Sequence, residues 1–215
     1  MKNNLIKSKN RGPMEADQKE NGADNSLQSL FLDELADVLN AEKQLTRALP
    51  KMAKASESED LTAAFESHLN ETQNQITRLE KVFASLDEPV KTKKCAAMEG
   101  LLEESEDLME ELEDTPALDA GLIAAAQKVE HYEIASYGTL CAWAEHMGHD
   151  EAAGLLKENL DEEKAADKKL STLSRASNEK ASSESDQSES EEDSDDNGPS
   201  KGRREGRKTA PSLLS

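Results

Sequence analysis

Val129-Glu130-His131-Tyr132-Glu133-Ile134-Ala135-Ser136-Tyr137-Gly138-Thr139-Leu140 is the stretch whose reading decides the fold. At helical spacing Ala126, Glu130, Glu133, Tyr137, Leu140 and Ala144 share one face, so two carboxylates interrupt an apolar stripe that should face a core. Isolated ionised groups are rarely left in an apolar interior. They neutralise, pair with a cation or bind a metal, because desolvation costs several kcal/mol. The pattern implies a carboxylate-bridged metal pair inside a helix bundle.

Working outward, this stretch lies in a long helix that Thr115 caps and Pro116 opens, and that Gly148 stops after Met147. Asp150 restarts the chain into a further long helix with the stripe Leu155, Leu156, Leu160, Ala166, Leu170 and Leu173. Glu163 falls on that stripe and Glu162 borders it. Upstream, Ser26 caps a helix running to about Ala55, whose stripe Val38, Glu42, Leu45, Leu49 carries a glutamate inward. Pro50 is expected to kink its last turns. A second helix follows from a cap at Ser58 to about Leu86, with His68, Glu71 and Gln75 together beside its apolar side. A shorter connector helix spans about Ala96 to Leu112, with Met98, Leu101, Leu102, Leu108 and Met109 apolar.

The second and fourth long helices align without a gap when Phe65-Glu66-Ser67-His68-Leu69-Asn70-Glu71-Thr72 is laid over Leu156-Lys157-Glu158-Asn159-Leu160-Asp161-Glu162-Glu163. The first and third superpose with Glu42 on Glu133. Two similar hairpins joined by a connector imply an all-α, ferritin-like four-helix bundle with a short crossover helix, each hairpin offering carboxylates to a central site. The candidate metal ligands are Glu42, His68, Glu71, Glu130, Glu133, Glu162 and Glu163, with Glu162 the alternative to Glu163. Carboxylate oxygens with one or two imidazoles suit iron or manganese. A competing reading is that core-flanking glutamates salt-bridge to lysines, snorkel outward or form a buried polar network that holds the bundle together.

Composition bounds the rest. The chain has 215 residues and a formal net charge of −20, with 3% aromatics, so its core must be built from Leu, Ala, Val, Ile and Met. Residues 26–175 alone carry 32 acidic and 15 basic side chains, which argues against duplex DNA as a partner of the body. An acidic surface also serves solubility. Apolar runs are too short for a membrane span, and the Lys- and Asn-rich start has no apolar core of a signal peptide, so a cytoplasmic protein is expected. Cys95 and Cys141 form no metal or disulfide pattern and are expected as plain thiols. Residues 1–25 read as a disordered head, 26–176 as the bundle, and 177–215 as a disordered tail, acidic and then basic from Lys201 to Lys208. That tail is either a solvated polyampholyte or a charge-dependent contact segment.

These segments carry a family resemblance: L-F-L-D-E-L, A-E-K-Q-L with A-L-P-K-M-A, H-L-N-E-T and R-L-E, E-H-Y-E-I-A-S-Y-G-T-L, and L-L-K-E-N-L-D-E-E-K-A-A-D. In this order over about residues 27–175 the chain resembles the YciE/YciF family of ferritin-like proteins. The resemblance implies a ferritin-like fold, a homodimer and a role in bacterial stress responses. The third and fourth long helices are also similar to rubrerythrin, which implies a di-iron centre fed by Glu130 and Glu133. In one respect the chain departs from the wider ferritin-like pattern of Glu-x-x-His: three residues after Glu71 stands Asn74, and after Glu162 or Glu163 stand Ala165 or Ala166. His68 can replace one missing imidazole, and His131 is less well aimed. The expected function is a stress-response di-metal protein that reacts with oxygen or peroxide. The alternatives are a non-enzymatic dimeric bundle with a polar network and no metal, and an acidic interaction module working through its tail.

Overall fold

A computed structural model describes residues 26–192, with side chains described to residue 183. The head assigned to residues 1–25 and the end of the tail, 193–215, lie outside the described residues. Among the described residues the chain forms α1 (Leu27–Ala55), α2 (Glu59–Ser85), α3 (Ala96–Glu111), α4 (Leu118–Met147) and α5 (Asp150–Glu192), and no strand.

Local chemistry sets the helix ends. Ser26 and Ser58 accept the backbone N–H of Ser29 and Leu61, each satisfying one donor of a first turn. Gly148 ends α4 in the left-handed region at φ 76°, where a side chain would be strained. Two expectations differ. Pro116 does not open α4: Thr115 and Pro116 stay in the preceding turn, Ala117 takes the cap position without a side-chain bond, and the Thr115 hydroxyl donates to Leu112 O instead. Nor does helix stop at residue 176, since α5 continues to Glu192. Ser177 is buried and Lys180 pairs with Glu57 at the α1–α2 turn, so this segment finds partners on the bundle although its apolar period has ended. Pro50 lies inside α1, which continues unbroken to Ala55.

Hydrogen bonds define the topology. After α2 returns beside the start of α1, the linker is tied to α1 by Lys93 N to Ala36 O (3.0 Å) and Cys95 N to Asn40 Oδ1 (2.9 Å). The crossover helix α3 then runs alongside α1, in the same direction, to the Lys51–Glu106 ion pair. Near the end of α1, the buried Asp119 carboxylate accepts Glu57 N (2.9 Å) and Ser58 N (3.0 Å) and clamps the start of α4 to the α1–α2 turn. Therefore α4 runs parallel to α2, and α5 returns beside it. Packing α1 against α2 and α4, and α5 against α2 and α4, closes a four-helix bundle of the ferritin-like kind, with α3 laid outside against α1 and α4.

Two apolar clusters fill the bundle. One gathers Leu45, Leu49, Met52, Leu61, Phe65, Leu122, Ile123, Val129 and Leu170. The other gathers Phe31, Leu35, Leu39, Leu79, Val82, Phe83, Tyr137, Leu140 and Leu156. Each such side chain contributes roughly 1.5–3 kcal/mol through burial. Along every long helix the switch from one cluster to the other is marked by buried polar side chains: Glu42 on α1, His68 and Gln75 on α2, Glu130 and Glu133 on α4, Asn159 and Glu163 on α5. The candidate site is this polar layer.

Candidate metal centre

Helical periodicity places Glu130 and Glu133 on the α4 stripe, three residues apart, and both are withdrawn from solvent together with Glu163 of α5 and His68 of α2. One ligand atom from each of these four lies within 4.8 Å of those of the others. His68 Nε2 is 3.2 Å from Glu130 Oε1 and 3.8 Å from Glu163 Oε2. Both oxygens of Glu133 and of Glu163, one of Glu130 and His68 Nε2 are buried without a hydrogen-bond partner. Buried polar atoms are nearly always paired, so this concentration of unpartnered oxygens around His68 is a group that could hold a metal ion.

The remaining sequence-predicted residues take other places. Glu42 is fully buried beside the cluster, and one of its oxygens accepts the Tyr137 hydroxyl while the other is unpartnered. Glu71 stands outside, half exposed, 3.5 Å from His68 Nδ1. Glu162 points away from the cluster: it accepts Gln75 Nε2 at 3.1 Å and pairs with Arg78. Adjacent positions on a helix differ by about 100° in direction, and the stripe that holds Leu156, Leu160 and Leu170 turns Glu163 inward and Glu162 aside. His131 is exposed and reaches Asp167 instead, at 3.4 Å.

Burial and mutual repulsion set the protonation. Desolvation pushes Glu42 up from 4.5 to about 7, although the Tyr137 hydroxyl and His68 pull it down. Glu133 and Glu163 are driven well above the usual carboxylate range, first by burial and then by the surrounding glutamates. Burial likewise raises Glu130, against the pull of His68. For His68 itself burial favours the neutral ring, but the Glu71 hydrogen bond and the charges of Glu130 and Glu42 together raise its pKa. Metal-free, the layer is thus a set of carboxyl groups that resist ionising together.

Sequence reasoning missed three members of this layer. Tyr137 was placed on the stripe but not recognised as the partner of Glu42, and Arg78 and Asn159 form with Glu162 and Gln75 a polar lock between α2 and α5. A signal existed for Asn159, which takes the place of His68 in the half-repeat. A third network joins Cys95 Sγ to Tyr132 OH (3.1 Å), which donates to Asp37 Oδ2 (3.0 Å), beneath α3. Cys95 and Cys141 are both free and buried.

Comparison with known proteins places these features in context. A family described as a domain of unknown function, DUF892, matches residues 26–182. Protein YciF of Escherichia coli (strain K12) is 53% identical over 149 residues, which cover 69% of this chain and 90% of that protein. The crystal structure of the E. coli stress protein YciF matches with a TM-score of 0.69 at 51% identity, covering 71% of this chain and 97% of that one. YcfI from Rhodopseudomonas palustris matches with a TM-score of 0.67 at 48% identity over 68% of this chain and 94% of that one. A protein from Xanthomonas campestris pv. campestris shares the fold at a TM-score of 0.55 and 23% identity, over 70% and 91% of the two chains.

Proposed function

The chain belongs to the DUF892 family together with YciF, and from that premise we propose that it is a stress-response protein whose bundle holds a carboxylate-rich pair of iron or manganese ions. The observation that carries the reading is the convergence of His68, Glu130, Glu133 and Glu163 with their inner atoms unpartnered. The donor set fits. Three or more carboxylates and one imidazole match hard, oxygen-preferring divalent ions, and two such ions neutralise the charge of Glu42, Glu130, Glu133 and Glu163 together. When bound, iron or manganese supplies redox exchange with oxygen or peroxide.

The protein's own groups divide the work. Glu130, Glu133 and Glu163 hold the ions. His68 offers Nε2 while Nδ1–H donates to Glu71, so Glu71 selects the tautomer and orients the ring rather than ligating. Tyr137 orients Glu42 by donating to one oxygen and leaves the other free to bind. Arg78 holds Glu162 out of the way. The apolar clusters on both sides keep water from the layer and strengthen each electrostatic contact in it.

We place the protein in the cytoplasm as a homodimer, with no nucleic-acid contact by its acidic body. Among the described residues no helix is long and apolar enough to cross a membrane. A second reading, a bundle with a polar network and no metal, draws on the partners that Glu42 and His68 find inside the protein.

Metal analysis of protein purified without chelator separates the two: stoichiometric iron or manganese, lost in Glu130→Gln, supports the metal reading. Absence of binding by Fe(II), Mn(II) and Zn(II) in equilibrium dialysis would leave the polar network.

A further inference from the structure

Beside the cluster, α2, α4 and α5 enclose a cavity of about 110 Å³ that reaches the surface at Ser67 and Lys169. Its walls are apolar: Ala64 and Phe65 from α2, and Ala165, Ala166 and Leu170 from α5. Its inner end is polar, formed by His68 and Glu130, each with a buried atom that has no hydrogen-bond partner. The void has a simple origin. About one turn beyond Glu162 and Glu163, α5 lines the cavity with alanines, exposed Ala165 and half-buried Ala166, the smallest side chains that still make an apolar wall.

Resting on the metal reading above, we propose that this cavity binds a compact neutral molecule carrying a nitrogen or oxygen lone pair, which enters past Lys169 and meets the centre at His68 and Glu130. Size limits the ligand: a cavity of about 110 Å³ suits a compact small molecule, not a chain or a nucleotide. Charge limits it further. Two divalent ions are already balanced by Glu42, Glu130, Glu133 and Glu163, and Glu71 faces Lys169 at the mouth. An incoming anion would therefore remain as net charge in a dry site, whereas a neutral donor needs no counter-ion. The apolar walls favour a flat or compact body behind the donor atom.

The test uses the full chain loaded with Co(II), whose visible absorption reports changes at the metal, with imidazole as the neutral probe and acetate as an anion of comparable size, above pH 8. Imidazole is expected to change the spectrum saturably and acetate to leave it unaltered. Ala166→Leu, which fills the cavity from its wall, should weaken the imidazole response by about tenfold while the Co(II) titration stays as in wild type. If Ala166→Leu lowers helix content, Ala165→Leu probes the same wall. An imidazole response equal in both leucine variants and wild type, or an acetate response as strong as that of imidazole, overturns the proposal. Co(II) binding without any imidazole response removes it alone, and failure of wild type to bind Co(II) removes the metal reading with it.

Discussion

The two helical hairpins supply matching glutamates, Glu42 from the first and Glu133 from the second, yet they treat them differently. Glu42 is buried but has a donor in Tyr137, and His68 on the same hairpin has Glu71 at its outer nitrogen. On the second hairpin both oxygens of Glu133 and of Glu163 are buried without a hydrogen bond, Glu163 keeping a 3.8 Å contact with His68 Nε2. Thr72, which the half-repeat sets against Glu163, turns its hydroxyl back onto His68 O and takes no part in the layer. A duplicated pattern has thus diverged: on the first hairpin Glu42 and His68 each have one atom partnered and one without a hydrogen bond, while on the second Glu133 and Glu163 have no hydrogen bond at either oxygen. The difference teaches that inward carboxylates are tolerated in two ways, by an internal donor or, without one, by a raised pKa that favours the neutral acid.

The largest effect should come from cutting the hairpins apart. Asp119 of the second accepts two backbone N–H groups in the turn of the first, and bonds to a charged acceptor are worth about 1.5–3 kcal/mol each, so Asp119→Ala should lower stability by about 3–5 kcal/mol in urea titration. A loss below 1 kcal/mol would show that the clamp carries no weight.

Next is pH. Glu42 stands at about 7 folded against an ordinary 4.5, so the fold favours its neutral form; its stabilising contribution is complete below the unfolded value and is lost as pH rises through about 7. Glu130, Glu133 and Glu163 are shifted in the same direction. Metal-free protein should therefore lose on the order of 3 kcal/mol from Glu42 alone between about pH 5 and pH 8. A urea midpoint that rises over this window would contradict the burial of the layer.

Metal should reverse that trend, because ligands bind it deprotonated. At a hundredfold excess over Kd, Fe(II) or Mn(II) stabilises by about 2.7 kcal/mol, which for a domain of this size raises Tm by about 5–10 °C, and more at high pH than at low. Calorimetry at two pH values checks both statements.

The smallest and sharpest contrast sets one hairpin against the other. Tyr137→Phe strips the donor from Glu42 and should cost about 1–3 kcal/mol with or without metal. Glu133→Gln in metal-free protein replaces a buried carboxyl that resists ionising with a neutral amide and should stabilise by about 1 kcal/mol at pH 8, while abolishing the metal-dependent shift. Equal destabilisation by both variants would erase the distinction between the hairpins.

Legibility followed the range of the physics. Apolar spacing, the serine caps and Gly148 are local, and they located the long helices and the inward faces of Glu42, Glu130, Glu133 and Glu163 from the sequence alone. The gapless half-repeat was enough for the ferritin-like order of two hairpins and a crossover. The contact of Glu71 with His68 Nδ1, the capture of Glu162 by Arg78 and Gln75, and the meeting of Tyr137 with Glu42 came only from tertiary structure. The same holds for the continuation of α5 past residue 176, held by Ser177 and Lys180, and for the cavity at Ala165 and Ala166. Periodicity states which side of a helix faces inward, but the rotation and height of one helix against the next come from packing, and a shift of a single position decides which of two neighbouring carboxylates reaches the centre.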